Sequence, residues 1–174
     1  MERVRIQSDL DTLAFADGQL ALLEGALAAQ SAQDQRMLLL VQLPGLSLIS
    51  ACTLLAAIGD IRRFPSAQQL VGYAGLGGRV HDSDLTHRAG RITKAGRRDI
   101  RAAMVEAAHT ATRTHPHWQA QLARLEPHLG HNKAIVAIAR KLLVVVWHVL
   151  SAGAADRFAC PQLVARKLAQ YTEE

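Results

Sequence analysis

The residues with the clearest potential for chemistry lie in a basic segment in the middle of the 174-residue chain. Between residues 79 and 101, seven Lys/Arg side chains accompany three Asp side chains, a local charge of +4 within a net charge of +5. Five glycines between residues 75 and 101 make a continuous helix unfavourable there. Cationic side chains spaced along such a loop suit a phosphodiester backbone as their ligand.

Ser83 is the one serine in this segment and therefore the candidate nucleophile. A serine hydroxyl needs a base to attack phosphorus, and His81 and His87 flank it and could move protons. The alternative is that Ser83, beside Asp82, is an ordinary turn residue that bonds its own backbone. The side chains expected to hold phosphates are Arg79, Arg88, Arg91, Lys94, Arg97, Arg98 and Arg101.

A second candidate phosphate site is the Pro44-Gly45 turn between two apolar segments. Pro44 ends the first helix, because the residue before a proline is pushed out of the α region. Ser47 and Gly59 mark the start and the end of the next helix. This order resembles a helix-hairpin-helix, in which Gly45, Leu46 and Ser47 would offer backbone N–H groups to a phosphate. An ordinary turn between two packed helices is the alternative.

Upstream of that turn, residues 3–41 contain no proline and two glycines. Apolar residues recur there at three-and-four spacing, which predicts one long helix, or two helices joined near Gly25. This helix is either half of a coiled coil, within the chain or between protomers, or a helix lying on its own domain. The narrow apolar stripe comprises Ile6, Leu10, Leu13, Leu20 and Leu27, interrupted by Asp17 and Glu24.

The rest of the chain also predicts helices, so the expected fold class is all-α. Ser66 and Asn132 are expected to cap helices, and residues 74–98 form the basic loop region with room for a small hairpin. The expected helices beyond the turn are 47–59, 66–73, 98–112, 116–130, one from 132 to the glycine at 153, and a weaker one at 162–171. The predicted apolar face of the 98–112 helix comprises Ile100, Met104, Ala107, Ala108 and Ala111, and the core stripe of the helix from 132 comprises Ile135, Ile138, Leu142, Val146 and Val149. The predicted domains are a helical arm or coiled coil at 1–40, a helical domain at 41–153 and a tail at 154–174.

Composition supports the all-α fold and a polyanionic partner. Apolar residues make up 49% of the chain and aromatic residues 4%, and small side chains let helices pack closely. A sequence pI near 9.8 favours nucleic acid as partner. The longest apolar run, residues 142–147, is too short to span a membrane, and no signal peptide is visible, so a cytoplasmic protein without membrane contact is expected.

No metal site is predicted on this chain. Cys52 and Cys160 lack the spacing of a zinc site, and a disulfide is not implied. The histidine pairs at 115/117 and 128/131 have no Cys, Asp or Glu placed with them, so no cofactor is expected here. A polar face, either solvated or a second nucleic-acid contact, carries Lys133, Arg140 and Lys141.

Taken in order, the motifs resemble the C-terminal half of IS110/IS116/IS902-family transposases over about residues 40–152. The motifs are Leu43-Pro44-Gly45-Leu46, Ala56-Ala57-Ile58-Gly59-Asp60, Arg63-Phe64-Pro65-Ser66-Ala67, Leu70 with Tyr73-Ala74-Gly75-Leu76, the serine loop, Gly90-Arg91-Ile92-Thr93-Lys94-Ala95-Gly96, Arg101, Lys133-Ala134 and Ala139-Arg140-Lys141-Leu142-Leu143. The acidic helix before them resembles the coiled-coil region that precedes this domain in the family.

The resemblance implies a DNA recombinase whose serine attacks the DNA backbone and forms a covalent phosphoserine link. Ser83 matches that serine, although Asp84 stands where the family pattern has glycine. The family's N-terminal half is a RuvC-like nuclease fold that holds Mg²⁺ on four acidic residues, and the family uses a guide RNA and acts as multimers.

Residues 1–39 are too few for the RuvC-like half, so the chain is expected to be a fragment or a truncated copy. By itself it is expected to bind nucleic acid weakly and not to catalyse transposition. Two other readings stay open: a non-catalytic nucleic-acid-binding module, and a fragment whose N-terminal helix drives dimerisation.

Overall fold

A long N-terminal helix leads into a group of packed helices, and a β-hairpin leaves this body between its fourth and fifth helices. The computed structural model describes residues 1–83, 86–92 and 95–169, with 79–83, 86–92 and 168 described by their backbone alone. The elements are α1 (Glu2–Ser31), α2 (Gln35–Val41), α3 (Leu48–Ile58), a 3-10 turn (Ile61–Arg63), α4 (Ala67–Tyr73), β1 (Gly78–Ser83), β2 (Thr86–Ile92), α5 (Arg98–Thr114), α6 (Pro116–Leu129), α7 (His131–Ala152) and α8 (Gln162–Ala169).

The core is built around α7, which packs against α2, α4, α5 and α6. By length and composition alone α7 could cross a membrane, but its apolar face is buried against its neighbours, as in the central helix of a folded body. The predicted all-α fold is confirmed for this body. The predicted core stripe of α7 is buried in full: Ile135, Ile138, Leu142, Val146 and Val149. The same holds for the predicted face of α5: Ile100, Met104, Ala107, Ala108 and Ala111.

Local signals set several helix ends as predicted. The side chain of Ser47 accepts a hydrogen bond from the N–H of Ser50 at 3.1 Å and caps α3. Gly59 ends α3 with a positive φ of 63°, and its N–H donates to the carbonyl of Leu55 at 2.8 Å. Pro116 is the first residue of α6, where a missing N–H costs nothing.

Three predicted helix ends are wrong or weaker than expected. The break in the N-terminal helix lies at residues 32–34 rather than near Gly25, because the Asp34 side chain accepts from the N–H of Arg36 and starts α2. Asn132 lies inside α7, whose N-cap is the positive-φ residue Gly130. Ser66 precedes α4, but its side chain makes no capping hydrogen bond.

The Arg63-Phe64 motif contacts both α4 and α7. The Arg63 guanidinium lies 5.1 Å from the ring centroid of Phe64 and 5.2 Å from that of Tyr73. The indole N–H of Trp147, on α7, donates to the Phe64 carbonyl at 2.9 Å. These contacts fix the connection between α3 and α4 onto α7, so this part of the family pattern is structural.

The basic segment forms an antiparallel hairpin of β1 and β2. Its register pairs Gly78 with Ile92, Val80 with Ala89, His81 with Arg88, Asp82 with His87 and Ser83 with Thr86. The register shifts between the first two pairs, which marks a β-bulge near the base of the hairpin.

Candidate nucleic-acid interface

At the base of the hairpin, the backbone around Gly96 packs closely against the backbone at the end of α4. Gly96 lies so close to α4 that a Cβ atom there would overlap the carbonyl oxygen of Tyr73 and lie 2.6 Å from the backbone nitrogen of Gly75. The N–H of Arg97 donates to the same Tyr73 carbonyl at 2.8 Å. Only glycine fits this approach, so Gly96 sets where the hairpin leaves the body.

Two of the predicted phosphate-binding arginines also bond within the protein. Arg101 Nη1 donates to the carbonyl of Ala74 at 2.9 Å, which ties α5 to the end of α4. Arg97 Nε donates to Asp99 Oδ1 at 3.0 Å. This hydrogen bond lowers the pKa of Asp99 to about 2 and raises that of Arg97. The Arg97 side chain remains half exposed, so it retains surface that a phosphate can reach.

The start of α5 continues the basic surface away from the hairpin. Arg98 is exposed and has no ion-pair partner among the described residues. Together with Arg101, His109 and Arg113 it lines an open groove of about 590 Å³ along α5, in which Glu106 is the one acidic lining residue. The sequence analysis missed His109 and Arg113. His109 lies eight positions after Arg101 and Arg113 four positions after His109, which places both on the same side of one helix as Arg98 and Arg101, and that was a usable signal.

Of the other residues predicted to act on DNA, Ser83 and three arginines lie on the strands of the hairpin. Ser83 is the last residue of β1, paired with Thr86 across the tip. Arg79 lies in β1, and both Arg88 and Arg91 lie in β2. Lys94 falls outside the described residues.

The α2–α3 turn, residues 42–47, packs against α5. Gly45 has a φ of +84°, and a Cβ atom there would overlap the carbonyl oxygen of Ala107 and lie 2.9 Å from the Cβ of Ala111. Leu46 is buried, and its N–H donates to the carbonyl of Leu43 at 3.3 Å. Of the three predicted backbone donors, those of Gly45 and Ser47 have no backbone acceptor among the described residues.

A cavity of about 840 Å³ opens between the α2–α3 turn and the C-terminal segment. Its cationic walls are Arg157, Arg166 and Lys167, with Glu106 as the acidic lining residue. Lys167 Nζ donates to the carbonyls of Val41, Leu43 and Leu46, at the end of α2 and in the α2–α3 turn. Burial lowers the pKa of Lys167 to about 8, with a smaller contribution from Arg166. Nothing in the local sequence around residue 167 signals this contact, which joins segments more than 120 positions apart.

Aromatic rings attach the C-terminal segment to α6. The Phe158 ring stacks on His117 with a centroid distance of 4.4 Å and an interplanar angle of 28°, and it also contacts Trp118. The Arg157 guanidinium lies 4.6 Å from the Phe158 centroid. Burial and the nearby Arg157 charge lower the pKa of His117. The segment after α7 is therefore docked on the body by its own contacts.

The described residues include no group of three or more His, Cys, Asp or Glu side chains placed to hold a metal ion. Cys52 and Cys160 are both free and half-buried, and the Cys52 sulfur lies 3.5 Å from the Ser31 hydroxyl. On the polar face of α7, Lys133 and Arg140 are exposed, whereas Lys141 Nζ donates to Gln121 Oε1 at 2.6 Å.

Most of α1 is exposed and makes no contact with the described part of the helical body. Only Ala28 and Ser31, at its C-terminal end, are buried. The exposed large apolar residues of this helix are Val4, Ile6, Leu10, Leu13, Phe15, Leu20, Leu22, Leu23 and Leu27. A second apolar path shares three leucines with the predicted stripe, but no acidic residue interrupts it. This second path comprises Leu13, Ala16, Leu20, Leu23 and Leu27.

Comparison with known proteins places this arrangement in a family. The pattern described as "Transposase IS116/IS110/IS902 family" matches residues 37–123, from α2 through the hairpin into α6. A probable family 20 transposase of Pseudomonas aeruginosa is 28% identical over 148 residues, covering 81% of this chain and 43% of the relative. The pilin gene-inverting protein of Moraxella bovis is 34% identical over 120 residues, 67% of this chain and 37% of the relative.

A putative transposase of Sinorhizobium fredii, y4qE, is 35% identical over 130 residues, 74% of this chain and 33% of that protein. The chain thus spans between a third and 43% of the length of these three relatives. The family match covers both the α2–α3 turn and the basic hairpin, which are the two places where the sequence predicted phosphate binding. This chain belongs to the IS116/IS110/IS902 family of transposases.

Proposed function

We propose that this chain is the DNA-binding, serine-bearing part of an IS110-type transposase. The observation that carries the proposal is the basic hairpin, which bears Ser83 at the end of β1 and is fixed at its base by Gly96. Arg79, Arg88 and Arg91 lie on its strands, and the α5 groove extends the same positive charge onto the helical body. Such a surface neutralises phosphates without reading bases.

The names of the relatives support a function in which the protein acts on DNA. A pilin gene-inverting protein, by its name, inverts a gene, and an inversion requires DNA strands to be cut and rejoined. The transposase names of the other relatives imply the same two chemical steps. In this proposal the present chain supplies the nucleophile and the phosphate-binding surface for those steps.

The proposed reaction is a phosphoryl transfer to serine. The Ser83 hydroxyl oxygen forms a bond to a DNA phosphorus while the bond from that phosphorus to one deoxyribose oxygen breaks. His81 or His87 accepts the serine proton, and a proton passes to the leaving deoxyribose oxygen. The arginines of the hairpin stabilise the charge that builds on the phosphoryl oxygens. Attack by the freed hydroxyl of another DNA end on the phosphoserine link would rejoin a strand and restore the serine.

The complete reaction in this proposal needs parts beyond this chain. The resemblance assigns Mg²⁺ to four acidic residues of a RuvC-like half, and the described residues of this chain offer no such carboxylate cluster. A guide RNA and further subunits are proposed partners, with α1 as the oligomerisation helix. The cytoplasm is the proposed site of action. By itself the chain is expected to bind DNA without completing transposition.

Binding of the chain to duplex DNA should weaken steeply as salt concentration rises. We expect the double variant Arg91→Ala/Lys94→Ala to bind more weakly and to show a shallower dependence of log K on log [salt]. The slope should fall by up to about 1.8, roughly 0.9 for each phosphate that the variant no longer neutralises. Fluorescence anisotropy with labelled duplex DNA and structured RNA, across a salt series, measures both quantities.

The control variant Arg3→Ala/Arg5→Ala removes the same charge from the exposed start of α1. It should leave the slope close to that of the wild type, because those side chains lie outside the proposed interface. If both variants lower affinity and slope equally, binding depends on net charge and the hairpin is not the interface. If the wild type does not bind even at low salt, the DNA-binding part of the proposal is wrong.

Covalent capture tests Ser83 as the nucleophile. The chain is fused to the RuvC-like half of a family member and incubated with a nicked DNA substrate and Mg²⁺. We expect a protein–DNA adduct that survives SDS, disappears in Ser83→Ala and persists in Ser151→Ala, a control at an exposed serine on α7.

An adduct that persists in Ser83→Ala would show that another residue attacks the DNA. If no variant forms an adduct although all of them bind DNA with the expected salt dependence, the chain is a non-catalytic binding module and the serine role is wrong.

A further inference from the structure

Three backbone carbonyl oxygens converge on one ammonium group at the α2–α3 turn. Lys167 Nζ lies 2.6 Å from the carbonyl oxygen of Val41, 3.3 Å from that of Leu43 and 2.6 Å from that of Leu46. The side chains of the three carbonyl-bearing residues are buried in the core. The carbonyl cage, as we call these three oxygens, is therefore built into the fixed part of the fold.

The chain geometry explains why these carbonyls point to one place. Val41 is the last residue of α2, and the last carbonyls of a helix have no partner within it. The Val41 oxygen also lies at the negative end of the α2 dipole. Gly45 turns the chain with a φ of +84°, and the carbonyls of Leu43 and Leu46, on either side of this turn, both accept from Lys167 Nζ. A site of negative potential without a formal charge is the result.

We propose that the carbonyl cage is a monovalent-cation site, which this chain fills with the ammonium group of its own Lys167. Backbone carbonyls replace the hydration shell of potassium ions in proteins, and an ammonium group is close to a potassium ion in size and charge. The three cage oxygens include no carboxylate, so they suit a monovalent cation better than Mg²⁺ or Ca²⁺. The proposal concerns the body of the fold and does not depend on DNA binding.

The Lys167 ammonium group also holds the C-terminal segment in place. Lys167 belongs to α8, and the N–H of Cys160, just before α8, donates to the carbonyl of Gln42 in the same turn at 3.2 Å. Since the pKa of Lys167 is about 8, the group is largely protonated at neutral pH, as the cage requires. Loss of the ammonium group should leave the cage open to a free cation and loosen α8.

Replacement of Lys167 by methionine should make the stability of the protein depend on potassium. In choline chloride we expect the midpoint of thermal unfolding of Lys167→Met to fall by roughly 4–8 °C. The buried carbonyls of Val41 and Leu46 lose this donor, and that of Leu43 keeps only the N–H of Leu46. Potassium chloride at the same ionic strength should restore part of that loss in a saturable manner, whereas lithium chloride should not. The wild type should unfold at the same temperature in all three salts.

The control variant is Lys141→Met, which removes a half-buried lysine whose ammonium group bonds the Gln121 side chain instead of a carbonyl cage. Its unfolding midpoint should show no preference for potassium. Equal midpoints of Lys167→Met in potassium and choline chloride would contradict the proposal, and so would a potassium preference of the same size in Lys141→Met.

A measurement on the wild type keeps the proposal testable if Lys167→Met does not fold. The chain has four lysines, at positions 94, 133, 141 and 167. In proton–nitrogen NMR spectra of the ammonium groups, Lys167 should be protected from exchange with water, whereas the exposed Lys133 should not. A Lys167 ammonium group that exchanges as fast as that of Lys133 would show that the cage is not filled in solution.

Discussion

Replacing Gly45 by alanine should destabilise the helical body by about 3 kcal/mol, from left-handed strain of 1–2 kcal/mol and an overpacking cost of 1–3 kcal/mol. The added Cβ would overlap the carbonyl oxygen of Ala107 and lie 2.9 Å from the backbone nitrogen of Ala111. Both neighbours belong to the backbone of α5, which is itself packed on α7, so α5 has no room to retreat. Thermal unfolding should show a midpoint lower by roughly 6–12 °C.

Gly18→Ala is the matched control for this experiment. Gly18 lies inside α1 with nothing within 4 Å of its added Cβ, so alanine should favour the helix by up to about 1 kcal/mol and leave the body unchanged. If Gly45→Ala unfolds at the wild-type temperature, the turn does not pack against α5 as described. A stable Gly45→Ala with weakened DNA binding would instead favour the phosphate-binding role of this turn.

Charged substitutions in the second path of α1 should dissociate the protein into monomers. The path contains Leu20 and Leu23, which are 55% and 62% exposed, on a helix about 45 Å long that has little contact with its own body. A second copy of this helix would bury the path, and each buried leucine contributes about 1.5–3 kcal/mol. We expect an oligomer for the wild type and a monomer for Leu20→Lys/Leu23→Lys, measured by light scattering after size-exclusion chromatography.

Ala14→Lys/Ala21→Lys adds the same charge to the same exposed helix outside that path. It should retain the mass of the wild type. A wild type that is monomeric at all concentrations would overturn the proposed role of α1. An unchanged mass of the leucine variant would place the interface elsewhere on the chain.

The structure also gives a packing role to several residues that the sequence marked for phosphate binding. Gly45 was predicted as a backbone donor, and the structure shows that it is also the point where α2–α3 meets α5. Arg97 and Arg101 were predicted to hold phosphates. The backbone N–H of Arg97 also ties the hairpin base to Tyr73, and the side chain of Arg101 ties α5 to the end of α4. Arg98, by contrast, is exposed and has no ion-pair partner among the described residues, so it is the arginine of this part of α5 most open to an anion.

The sequence by itself determined most of the helical plan and the family. Ser47, Gly59 and Pro116 act on their own or adjacent turns of the chain, so their effects on α3 and α6 could be predicted without tertiary contacts. The apolar stripes of α5 and α7 were predicted equally well, because a period near 3.6 residues fixes which face a helix buries. The ordered motifs identified the family before any geometry was known.

Only the tertiary structure decided which residues from distant parts of the sequence contact one another. Gly96 packs against the Tyr73 carbonyl at the base of the hairpin, and Arg101 donates a hydrogen bond to the Ala74 carbonyl. Lys167 occupies the carbonyl cage, whose residues lie more than 120 positions away in the sequence. Capping and periodicity act within a few residues, whereas these contacts depend on which segments the packed core brings together, and no local pattern encodes that.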